Sequence, residues 1–114
     1  MIPRNKDVLD EHLEQWEVAI DNWSEGQTQY AEVESMFKAW EAASKTALMQ
    51  SKMSAAMADS QVKSHPDWAD RYLQVQKASI NAETKKRILR LAEAKWESER
   101  SRQVTLRQLK GWGL

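Results

Sequence analysis

Between residues 7 and 23 the apolar positions Leu9, Leu13, Trp16, Ile20 and Trp23 recur at steps of four, three, four and three. That spacing keeps them on one side of an α-helix and predicts a first helix over 7–23. The acids of this stretch lie mainly off the seam. Several stand in the first turns, where they favour the positive end of the helix dipole. Ser24-Glu25-Gly26 is the first break, because Gly26 can take the left-handed conformation that ends helices and Thr28 can cap the next one. One Gly punctuates weakly, so a continuous, kinked helix is the alternative.

A second helix is predicted over 28–62, where Tyr30, Val33, Phe37 and Trp40 form a stripe. Beyond Trp40 small residues take over, and the bulkier ones are Leu48, Met49, Met53 and Met57. The three Met, at i, i+4 and i+8, read either as an adaptable partner surface or as filler along a helix seam. Ser64-His65-Pro66-Asp67 is the clearest boundary. Pro is favoured in a first helical turn, with Ser64 or His65 near the N-cap and Asp67 in that turn. A connection this short folds its two helices back antiparallel.

The third helix is predicted over 67–109, with 110–114 as a tail. Trp68, Tyr72, Val75, Ser79, Ala82, Leu89, Ala92 and Trp96 mark one face, and Leu73, Ile80, Ile88 and Leu91 a second. Two apolar faces imply two neighbours: the second is the first helix, another subunit, or both. Folding about residues 64 and 65 sets Ala47 by Ala82, Trp40 by Leu89, Phe37 by Ala92 and Val33 by Trp96. The pattern therefore predicts one all-α domain, 1–114, built as a long antiparallel helical hairpin with a shorter N-terminal helix. It also predicts a homo-oligomer, with a two-fold dimer as the commonest closed form.

Composition narrows the class. The 114 residues suit a single domain, and with 30% charged residues, three Gly and two Pro the helices should be long and exposed. Six Trp argue against intrinsic disorder. The chain has no Cys, which excludes disulfides, thiolate metal sites and cysteine nucleophiles. The charged start Arg4-Asn5-Lys6-Asp7 lacks the apolar core of a signal peptide, and no apolar run approaches the ~18 residues of a membrane span. A cytoplasmic protein with no membrane association is expected.

Net charge is zero but unevenly spread. Residues 7–34 carry nine acids and no Lys or Arg, whereas residues 85–110 carry nine bases against Glu93, Glu97 and Glu99. Such asymmetry marks either an anion-binding segment or two segments that bind each other.

Reactive constellations are missing. His12 and His65 stand far apart, without a His or carboxylate at the helical spacing of metal motifs, and no Glu-x-x-His pair occurs. The acid pairs Asp10/Glu14, Glu14/Glu17 and Glu17/Asp21 read as a solvated face. No Gly-rich phosphate loop is present, and Ser lacks an elbow motif. The expectation is a protein that is not an enzyme and takes neither cofactor nor metal. The one candidate site is nucleic-acid-binding: Arg90, Arg100, Arg102 and Arg107 for phosphates, with Trp96 and Trp112 as stacking surfaces. In the competing reading the acids of the first helix cover these bases. Exposure of the four Arg separates the two.

Three segments carry a resemblance: Ser64-His65-Pro66-Asp67-Trp68, Ala82-Glu83-Thr84-Lys85-Lys86-Arg87, and Trp96-Glu97-Ser98-Glu99-Arg100-Ser101-Arg102-Gln103. Through them the C-terminal half resembles small phage and prophage early-region proteins, helical hairpins of unassigned function often encoded near recombination or replication genes. The resemblance implies a non-enzymatic accessory protein of phage DNA recombination or replication. It would act by protein contacts together with weak, sequence-tolerant DNA binding. The alternative is a structural or inhibitory protein that binds a host or phage partner by helix packing, without nucleic acid.

Overall fold

The computed structural model describes residues 7–111. Among them are three helices and no strand: α1 (Val8–Gln50), α2 (Ala55–Ser64) and α3 (Pro66–Gly111). The all-α class and the helical hairpin are as the sequence predicts, and α3 begins within a residue of its expected start. The boundaries upstream differ.

The predicted helices over 7–23 and 28–62 are not separate. α1 runs unbroken through Ser24-Glu25-Gly26. A lone Gly inside a helix costs only about 1 kcal/mol relative to Ala, and here the helix carries one seam through it. Leu9, Trp16, Trp23, Tyr30 and Phe37 follow seven-residue strides, and so do His12, Ala19, Gly26, Val33 and Trp40; all are half-buried or buried. A sustained seven-residue repeat is the signature of helix-on-helix packing. The seam also turns slightly from its predicted position. His12 and Ala19 face inward, while Leu13 and Ile20 are exposed.

The real break falls at 51–54. Lys52 takes φ 68°, a left-handed conformation that ends α1. The amides of Ser51 and Lys52 reach back to the carbonyls of Leu48 and Met49, each at 3.1 Å. Ser54 then caps α2, its Oγ accepting from the Met57 amide at 3.2 Å. At the next boundary His65 is the cap of α3. Its Nδ1 accepts from the Asp67 amide at 3.1 Å, with Pro66 opening the helix.

The described residues divide into two compact units, 7–24 with 84–111 and 25–83. Within the first, Trp16 meets Trp96 with ring centroids 5.1 Å apart, and Gln103 Nε2 donates to Asp7 Oδ1 at 3.0 Å. Within the second, Phe37 meets Trp68 at 5.8 Å and Tyr72 at 6.0 Å, and Trp68 Nε1 donates to Glu41 at 2.8 Å. The antiparallel register is therefore displaced by about twenty residues from that predicted by folding at 64 and 65. Trp96 lies by Trp16 rather than Val33, and Phe37 by Tyr72 rather than Ala92. The cause is α2, which leaves α1 and α3 to pair without it.

Among the described residues the buried hydrophobic ones are small: Ala19 in the first unit, and Ala58, Val62 and Ala82 in the second. No large side chain is fully buried among the described residues. Two packed helices have solvent on both flanks of their seam, so an aromatic ring there is covered on one side only.

Candidate interaction surfaces

The basic segment occupies the α3 part of the first unit. Arg90, Arg100, Arg102 and Arg107 are all exposed. Arg102 is engaged by its own helix: its Nη2 lies 2.8 Å and its Nε 3.1 Å from the Glu99 carboxylate. This bidentate contact holds Glu99 below the usual carboxylate range and raises Arg102. The Arg100 guanidinium rests 5.6 Å from the Trp96 ring centroid. Trp96, between Arg100 and Trp16, is half-buried. Trp112 lies outside the described residues.

The four Arg do not converge. Arg100 and Arg107, one heptad apart, share a face of α3. Arg100 and Arg102, two apart, project to opposite sides. The described ion pairs closer than 4.0 Å each join near neighbours in sequence, as in Glu34–Lys38 at 2.7 Å, Asp59–Lys63 at 3.1 Å and Glu99–Arg102.

His12 projects into the seam of the first unit. It acts electrostatically on Glu99, while its Nδ1 is buried without a hydrogen-bond partner. Trp23 Nε1 is buried and unpartnered too. His65 belongs to the second unit. Among the described residues no group of three His, Cys, Asp or Glu is placed to hold a metal ion.

In the second unit Phe37, Trp40, Trp68 and Tyr72 cluster. Trp68 stacks on Tyr72 at 5.0 Å, and Arg71 lies 4.9 Å from the Trp40 ring centroid. A cleft of about 300 Å³ opens beside them, lined among others by Trp40, Leu48, Val62 and His65. On α1, Glu34 bridges Tyr30 and Lys38. It raises both of their pKa values while its own is lowered. The bond from Trp68 to Glu41 was invisible in the sequence, because the predicted register set neither residue by the other. The Met series does not form a stripe: Met49 lies in the last turn of α1, Met53 between helices and Met57 in the first turn of α2.

α3 also presents exposed apolar side chains. Leu73, Ile80, Ile88 and Leu91, the second face predicted for the third helix, are 45%, 67%, 53% and 55% exposed. Val18 and Met36 on α1 are exposed as well. No described helix is long and apolar enough to cross a membrane. Compared with protein-family models, curated proteins and solved structures, the chain finds no match.

Proposed function

We propose that the chain is a non-enzymatic interaction protein that works by packing its exposed helix faces against other helical surfaces, a second copy of itself included. The observation that carries this reading is the apolar face of α3, whose Leu73, Ile80, Ile88 and Leu91 are exposed. Apolar patches beyond a few hundred Å² on soluble proteins mark interaction sites. The phage-like segments of α3 support a partner drawn from phage or host DNA metabolism, met in the cytoplasm.

A second reading has its own support. The exposed Arg90, Arg100 and Arg107 offer phosphate contacts, so the chain could touch the DNA on which such a partner acts. The two readings separate in one experiment. The tagged chain is captured from a host culture carrying the prophage, alongside Leu91→Glu and Arg100→Ala/Arg107→Ala variants, with and without nuclease. Protein interaction predicts defined partners that survive nuclease and the Arg changes but are lost with Leu91→Glu. Capture abolished by nuclease and by the Arg changes would contradict it and favour DNA contact.

A further inference from the structure

Residues 47–58 read Ala-Leu-Met-Gln-Ser-Lys-Met-Ser-Ala-Ala-Met-Ala, with no Gly, no Pro and no β-branched side chain. Local propensity favours one unbroken helix through them, and the helix predicted over 28–62 is that reading. The fold breaks the helix at 51–54 instead, and the break sets Lys52 at φ 68°, a left-handed conformation that disfavours a residue with a Cβ. Local preference and fold disagree at this one joint.

The contacts that hold the joint closed lie within the unit 25–83. Val62 of α2 lines one cleft with Trp40 and Leu48 of α1, and His65, at the end of α2, meets Trp40 with ring centroids 6.1 Å apart. On α3, Trp68 and Tyr72 meet Phe37 of α1, and Trp68 bonds Glu41. Each contact joins chain before the break to chain after it.

We infer that 51–54 is a hinge through which two copies of this chain exchange α1. In the exchanged form α1 and α2 of each copy run on as one helix, and Lys52 becomes helical. α1, being one unbroken helix, moves as a whole. It takes up on α2 and α3 of the other copy the contacts it made in its own chain. Those contacts name the partner: the surface that α1 leaves is complementary to α1, and a second copy supplies an identical one. Exchange of an identical element is a low-cost route to a dimer, and a short strained hinge invites it. Because α1 must first part from α2 and α3, the exchanged dimer is reached through refolding. It makes no use of the exposed apolar face of α3, so it stands apart from the proposed function.

The absence of Cys allows a direct test. Met36 of α1 and Gln74 of α3, both exposed, line one cleft of this unit. Full-length Met36→Cys and Gln74→Cys chains, mixed in urea at high concentration, refolded together and treated with a short bismaleimide, should give a covalent dimer on a denaturing gel. Each variant alone should give none. The Met36→Cys/Gln74→Cys chain refolded dilute should cross-link within itself and run as a monomer. That internal cross-link without a covalent dimer from the mixture overturns the inference.

The hinge supplies a second measurement. Lys52→Gly relaxes the closed form and should lower the yield of refolded dimer about tenfold by size exclusion. Ser54→Ala removes a cap used in the closed form and should raise it about tenfold. Equal yields from the two variants overturn the inference, and so does a refolded dimer that is lost with Leu91→Glu.

Discussion

The two units use the same pair of helices in opposite ways. In residues 25–83 the seam is aromatic: Phe37 meets Trp40, Trp68 and Tyr72, Trp68 stacks on Tyr72, and Trp68 also bonds Glu41. This unit also holds α2 and three of the four buried core residues. In residues 7–24 with 84–111 one aromatic pair, Trp16–Trp96, stands among polar neighbours. His12, Glu99 and Gln103 occupy or border the seam, and Ala19 is its buried core residue. Two buried nitrogens there lack partners, and an unsatisfied buried polar group costs about 1–3 kcal/mol. The lesson is that a seven-residue repeat fixes where helices meet, while the residues placed on it decide how firmly. The aromatic unit should carry most of the stability. The polar unit should open more readily.

The largest expected effect breaks the firm unit. Trp68→Ala removes two ring contacts and the bond to Glu41, and should cost about 3 kcal/mol in urea unfolding. Trp16→Ala, which loses one ring partner, should cost about half as much. Equal losses would erase the contrast between the units. Native-state hydrogen exchange sharpens it further: the slowest amides should fall within 25–83 and faster ones within 84–111.

The joint between α1 and α2 gives smaller effects of opposite sign. Ser54→Ala should destabilise by about 1 kcal/mol, because the Met57 amide loses its cap. Lys52→Gly should stabilise by about 1 kcal/mol by relieving the left-handed conformation of a side-chain-bearing residue. Thermal melts of the two variants would show the midpoint moving in opposite directions.

The smallest effect concerns acid. Glu99 is held below its ordinary pKa by Arg102, so its contribution is full above the unfolded carboxylate value and is lost as pH falls through the lower folded value. Glu99→Gln should therefore be less stable than the parent at pH 7, with the gap closing in strong acid. A gap that persists unchanged at low pH would remove Glu99–Arg102 as its cause.

Much of the fold was legible in the sequence, and the failures have physical causes. Pro66 and His65 announced the start of α3, because a fixed φ and a missing N–H suit a first turn. Gly26 misled, since its conformational freedom was weighed above the seven-residue strides from Leu9 to Phe37, which pass it without a skip. Lys52 gave no signal at all. Nothing in its side chain asks for a positive φ, and only the pairing of α1 with α3 and the capping by Ser54 impose the turn. That hidden break shifted the register and concealed the contact between Trp68 and Glu41. Of the candidate site, the exposure of the Arg side chains was resolved by the structure, whereas Arg102 is drawn to Glu99 and Trp96 to Trp16. The second apolar face of α3 was legible from spacing alone, and it remains exposed.

That exposed face is the centre of the functional account, and mass in solution tests it most directly. Sedimentation equilibrium of the full chain at tens of micromolar should give twice the 13.2 kDa of one chain. Ile88→Glu/Leu91→Glu should return the mass to a single chain with its helix content kept. A wild-type mass of 13.2 kDa across that concentration range would contradict self-association through α3.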